Sequence, residues 1–261
     1  MIEVRNLCKS YGGFEAVKNI SFSVESAEVL GFLGPNGAGK TTIMKILAGC
    51  HYPSCGEVRI NGVSVEDDPV ETKKITGYLP ENNPLYGDLT TEEYLDFAAS
   101  ARLLSGQEKK RAIDRVISLC SLGEHRNRLI ESLSKGYRQR LGLAQAIIHD
   151  PPVLVLDEPA SGLDPNQIIE MRLLVRELGK KKTVILSTHI LSEVEAVCSR
   201  VLILDKGKIA AQGTLEEIAQ TLGMNMKKHI LEDIFVKLTG ETTGALIEPP
   251  AANGEPNERK R

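Results

Sequence analysis

Residues Gly34-Pro35-Asn36-Gly37-Ala38-Gly39-Lys40-Thr41 put three glycines and a lysine into one short loop, directly after the apolar run Val29 to Leu33. A segment with helical patterning, Thr42 to Ala48, follows at once. This is the spacing G-x-x-x-x-G-K-[ST] in the strand–loop–helix setting that the motif requires. The glycines let backbone N–H groups converge on phosphate oxygens, and the next helix N-terminus adds a favourable dipole. Lys40 supplies charge for the β- and γ-phosphates, and the Thr41 hydroxyl suits Mg²⁺. Pro35, Asn36, Ala38 and Thr42 complete the wrap. A chain built this way must place a buried strand against a helix, which makes it an α/β protein with a nucleotide-phosphate site.

The rest of the patterning agrees. Val153 to Leu156, Thr183 to Leu186 and Val201 to Leu204 are near-continuous apolar runs. That is the character of strands buried on both faces of a parallel sheet. The first of them ends in Asp157-Glu158, so two carboxylates arrive at a strand's carboxyl end, where ligands bind in such sheets. Asp157 suits Mg²⁺ and Glu158 suits polarisation of an attacking water. Period-2 alternation is expected to send the two side chains to opposite sides. His189 follows the next strand and is expected at the same edge as a γ-phosphate donor.

Alternating segments before residue 60, with turns at Tyr11-Gly12-Gly13, near Ser26-Ala27 and at Asn61-Gly62, predict an antiparallel β lobe. From Thr90 to His149 the period becomes helical. Thr90-x-x-Glu93 has capping-box form, and Ile113, Val116, Ile117 and Cys120 share one helix face.

Leu133-Ser134-Lys135-Gly136-Tyr137-Arg138-Gln139-Arg140, lying between the cradle and the acid pair, resembles the signature of ATP-binding cassette (ABC) proteins. The resemblance spans residues 1 to about 240. It implies a P-loop NTPase (RecA-like) core with an N-terminal antiparallel β lobe and an α-helical lobe inserted at about 88–150. It also implies ATP and Mg²⁺ as cofactors, and Ser134 and Gly136 touching the γ-phosphate held by a second copy in a head-to-tail dimer. By matching position Tyr11 stacks on adenine, Asp164 of Ser161-Gly-Leu-Asp164 belongs to the loop linking the two nucleotide sites, and His189 is the switch histidine. Asp164-Pro165 also reads as an N-cap and first turn. Glu81 stands where the family has glutamine; a carboxylate remains a hard-cation ligand. Lys135 and Tyr137 replace the usual glycine and glutamine. Gly77 to Glu81 followed by Pro84-Leu-Tyr, the signature as written, and a closing Leu231 to Phe235 helix look like ATPases of ABC-2-type exporters, including the sodium, multidrug and gliding-motility-associated branch. That implies a separate transmembrane permease, with a docking surface between Glu81 and about Leu129, and a place on the cytoplasmic face of the membrane. The alternatives are a soluble ABC ATPase without a transport role, an importer ATPase, and a different P-loop enzyme such as a small-molecule kinase.

Composition sets the remaining bounds. The 261 residues carry a formal charge of -3, without the basic field of a duplex nucleic-acid binder. Aliphatic runs stop at about four residues, against roughly 18 for a membrane span, and the start lacks a secretory pattern. Five scattered cysteines read as reduced thiols. Residues 241–261, with three prolines and a basic end, are expected to be a disordered tail.

Overall fold

In the computed structural model, residues 1–225 and 230–240 are described; the expectation for 241–261 lies outside them. In chain order the elements are β1 (Ile2–Tyr11), β2 (Phe14–Val24), β3 (Val29–Leu33), α1 (Lys40–Leu47), β4 (Cys55–Ile60), β5 (Val63–Ser64), α2 (Pro69–Ile75), β6 (Thr76–Leu79), α3 (Thr91–Ala101) and α4 (Gly106–Leu119). Then come α5 (Lys135–Ile147), β7 (Val153–Asp157), α6 (Pro165–Gly179), β8 (Thr183–Thr188), α7 (Leu191–Val197), β9 (Arg200–Asp205), β10 (Lys208–Gly213), α8 (Leu215–Thr221) and α9 (Ile230–Thr239).

Two sheets result. One is antiparallel, in the order β2-β1-β4-β5. The other runs β10-β9-β3-β8-β7-β6 and is parallel except for the edge strand β10. Its apolar strands serve two cores at once, as their unbroken hydrophobic runs require. Along β7, Val153 and Val155 join the core between the sheets and α1, whereas Leu154 and Leu156 join the core under α3 to α6. Along β9, Leu202 and Leu204 face the first core, and Val201 and Ile203 face α7, α8 and α9. Phe22 and Phe32 close the gap between the sheets edge to face, 5.3 Å apart.

Helices α3, α4 and α5 are inserted between the neighbouring strands β6 and β7. The α3 capping box forms as the sequence predicts: Glu93 N–H donates to Thr90 Oγ1 at 3.2 Å, and Thr90 N–H donates to Glu93 Oε2 at 2.8 Å. Cys50, Cys120 and Cys198 are free thiols as expected, and two cysteines depart from expectation. Cys8 and Cys55 face each other across β1 and β4, joined as a disulfide with Cα atoms 5.0 Å apart. They are 47 residues apart in sequence, and it is the ladder, not their spacing, that brings them together.

Gly77 shows how closely the inserted helices sit. A Cβ on this β6 residue would run into the Ala146 carbonyl of α5 and the Leu154 side chain. Gly77→Ala is therefore expected to cost roughly 1–3 kcal/mol through overpacking, read as a lower urea midpoint. An unchanged midpoint would contradict the close approach.

Candidate functional site

The parallel register decides which residues meet. Leu33 pairs with Thr188, and Asp157 pairs with Ser187, so the ends of β3, β8 and β7 lie side by side. At that edge a cleft of about 480 Å³ is lined by Tyr11, Phe14, Ala16, Pro35 to Thr42, Glu81, Glu158 and His189.

The cradle follows from its glycines. Gly39 has φ 107°, a left-handed conformation, and a Cβ there would also strike the Ala16 carbonyl, so both torsion and space demand glycine. A Cβ on Gly34 would meet the Leu204 carbonyl. Lys40 is buried, with its Nζ donating to the carbonyls of Gly34 at 2.5 Å and Pro35 at 3.2 Å, and lying 4.0 Å from Glu158 Oε1. Thr41 Oγ1 donates to Asp157 Oδ1 at 3.3 Å.

The two acids separate for a reason other than pleat alternation. β7 ends at Asp157, and Glu158 turns into the left-handed region with φ 50°, a conformation costing about 1 kcal/mol for an L-residue. Its N–H donates to the Ser187 carbonyl at 3.1 Å and to Ser187 Oγ at 3.0 Å, which holds the kink. Glu158 Oε2 then accepts from His189 Nδ1 at 2.8 Å. This bond is the main reason the imidazole pKa lies above its ordinary value. Asp157 is fully buried. Its Oδ1 accepts from Ser187 Oγ at 2.5 Å, and its Oδ2 has no partner among the described residues. Burial is the main cause of its raised pKa, with Glu81 and Glu158 adding repulsion against the two hydroxyl donors.

Tyr11 stands exposed at the far rim, its hydroxyl 2.7 Å from His51 Nδ1 and its ring beside the cleft. Glu81 is at the opposite rim, just beyond β6, and exposed. Five expected site residues do not line this cleft: Gly34 and Asp157, which lie behind it bonded to Lys40 and Thr41, and Ser134, Gly136 and Asp164. Ser134 is exposed as the N-cap of α5, accepting from Tyr137 N–H, and Gly136 lies against Gln167. Asp164 caps α6 by accepting from Gln167 N–H at 3.0 Å, so the capping reading of that residue holds. The two loops are nevertheless neighbours, since a Cβ on Gly162 would collide with the Lys135 ammonium.

The sequence reading missed Ser187, Phe14, Ala16 and His51. Ser187 carried a signal: a hydroxyl directly after the apolar residues Val184 to Leu186.

The electrostatics generate a prediction. A carboxyl with a raised folded pKa binds protons more readily in the native state, so its penalty is full at neutral pH and eases as pH falls through that pKa. Asp157→Asn should therefore raise the neutral-pH urea midpoint of the nucleotide-free protein. A lowered midpoint would show that the burial penalty is already offset.

Comparison with known proteins places this geometry. A family model described as ABC transporter matches residues 17–161. The chain is 40% identical to the ABC transporter ATP-binding protein YxlF of Bacillus subtilis (strain 168) over 226 residues, 87% of this chain and 75% of that one. It is 38% identical to the bacitracin transport ATP-binding protein BcrA of Bacillus licheniformis over 84% of this chain and 69% of that one. A solved ATP-binding subunit of an ABC transporter superposes with TM-score 0.83 at 33% identity, covering 91% of this chain and 99% of that one. An ATP-binding cassette solved as a dimer in a post-hydrolysis state with ADP and Pi superposes with TM-score 0.75 at 25% identity, covering 82% and 98%. The chain belongs to the ABC transporter family as an ATP-binding subunit and is an ATPase.

Proposed function

We propose that this chain is the ATPase of an ABC-2-type exporter, working as a head-to-tail dimer on separate transmembrane permease subunits. The observation that carries the hydrolytic part is the convergence of Lys40, Glu158 and His189 on one cleft, beside an Asp157 oxygen that is buried and has no partner among the described residues. Such an oxygen is a cost unless something bound satisfies it. Asp157, the Thr41 hydroxyl and Glu81 are all hard oxygen donors, the set that Mg²⁺ prefers. When bound, the ion supplies positive charge to the β- and γ-phosphate oxygens.

Each residue then has a task set by its place. Tyr11 offers its ring face to adenine. Gly34 to Thr42 wrap the phosphates with backbone N–H groups. Lys40 exchanges two neutral carbonyl acceptors for charged phosphate oxygens, a stronger pairing. Glu158, kinked into the cleft, accepts the proton of the attacking water. His189, holding Glu158 through Nδ1, keeps that carboxylate aimed and adds a donor toward the γ-phosphate. Ser134, exposed at the start of α5, and Gly136, buried within its first turn against Gln167, stand away from this cleft, and the helix start suits an anion presented by a second copy. Asp164 lies at the start of α6 beside them and belongs to the same contact.

The permease reading rests on a groove of about 520 Å³ between the β6 end and α3, lined by Tyr78, Pro80, Pro84, Tyr86, Phe97 and Arg102. Tyr86 and Phe97 are 51% and 50% exposed and meet edge to face at 5.5 Å. Large apolar rings left in solvent mark protein-contact surfaces, and this one begins beside Glu81. No helix among the described residues is long and apolar enough to cross a membrane, so the pathway is assigned to other subunits. Export is favoured by the pattern Gly77 to Glu81, the signature as written, and the α9 helix. The proposed location is the cytoplasmic membrane face, where the exposed Cys55 leaves its disulfide open to thiol exchange.

Glu158→Gln is expected to keep ATP binding but lose turnover by about 100-fold or more, and to accumulate an ATP-bound dimer in size-exclusion chromatography. Turnover near wild type in that variant would refute the base role. Phe97→Asp should abolish co-purification of the permease while leaving ATP binding intact. A wild-type chain that fractionates without any permease would move the reading to a soluble ABC ATPase.

A further inference from the structure

Glu193 lies in the first turn of α7 and is buried as deeply as the apolar core, 4% exposed. Around it are Pro159, Ala160, Met171, Val175, Leu186 and Val197. A carboxylate in such surroundings is costly unless its bonds are specific. Burial pushes its pKa up, with the Thr188 bond and the charge of Arg172 acting against that.

Its bonds lead to one place. Glu193 Oε2 accepts from Thr188 Oγ1 at 2.6 Å. The same hydroxyl oxygen accepts from Ile190 N–H at 3.0 Å. Thr188 and Ile190 are the two chain neighbours of His189, so a single carboxylate ties the backbone on both sides of the histidine. On the outer side Arg172 of α6 donates to Ser192 Oγ at 2.8 Å, which pins the start of α7 to the helix that Asp164 caps.

The chemistry explains why an acid suits this position. A threonine hydroxyl has one proton; given to Glu193, it leaves the oxygen's lone pairs free for Ile190 N–H. A charge-assisted bond is about twice as strong as a neutral one and polarises the next bond in the chain. An apolar residue in the same space would leave the Thr188 side chain without a direction.

We propose that Glu193 is a positioning residue, which sets the Thr188 to Ile190 turn so that His189 Nδ1 meets Glu158 Oε2. This rests on the reading of Glu158 and His189 given above, and the test separates the two. Its first readout is the NMR titration midpoint of the His189 imidazole in the nucleotide-free full chain. Its second is steady-state ATP hydrolysis. Glu193→Ala and Thr188→Val should each lower the midpoint and reduce kcat about tenfold with KM within about twofold, the loss expected for one charge-assisted bond. The double variant should be no worse than either single one. Glu193→Gln removes a charge that itself raises the His189 pKa, so it should lower the midpoint less than Glu193→Ala does and keep most of the turnover, because its amide oxygen still accepts from Thr188.

Thr188→Val, nearly the same size and shape, keeps the proposal falsifiable if Glu193→Ala does not fold. A wild-type midpoint in Thr188→Val would overturn the proposal. So would a Gln variant as impaired as the Ala variant, since charge rather than the bond would then be at work. Wild-type hydrolysis by His189→Ala would instead refute the histidine's part in turnover, while the midpoint of Thr188→Val still decides on Glu193.

Discussion

Every functional contact in this chain depends on the parallel register of β3, β8 and β7. Because Leu33 lies opposite Thr188 and Asp157 opposite Ser187, the loops that leave these strands emerge at one level. Lys40, Glu158 and His189 are then neighbours despite being far apart in the chain. A one-residue slip in either pairing would move the slipped strand's side chains from one core to the other and disrupt both at once. The cores therefore enforce the register, and the register assembles the site.

The site holds more negative charge than its surroundings favour. Asp157, Glu158 and Glu193 are all buried within one region. Two of them have an oxygen without a partner among the described residues, and Glu158 also sits in a left-handed backbone conformation. Such features lower stability, and a protein keeps them where binding recovers the loss. The local compensation is visible: Ser187 serves both Asp157 and the Glu158 backbone, Lys40 and His189 flank Glu158, and Thr188 answers Glu193.

Much of this is legible in the sequence. The cradle, the strands at Val29, Val153, Thr183 and Val201, the helix after Asp164-Pro165 and the α3 capping box all stand where local patterning puts them. These are features in which chemistry and conformation are decided by residues within a few positions of each other. Weaker signals failed in recognisable ways. β6 is four residues with a glycine inside, and β10 alternates with small and polar residues, so neither has a clear period. Thr214 and Glu217 form a second capping box on α8 that carried the same signature as the first.

The sequence by itself determined that a phosphate loop joins a buried strand to a helix, and that two acids and a histidine end two more buried strands. Glycine torsion and two-sided hydrophobic runs admit little else. Only the tertiary structure decided that Glu158 kinks rather than alternates, that His189 bonds it, and that Ser187 and Glu193 support them. Cys8 meeting Cys55 and Tyr11 meeting His51 belong with these. Each is a contact between residues distant in the chain, and its existence depends on register and packing that no local pattern encodes.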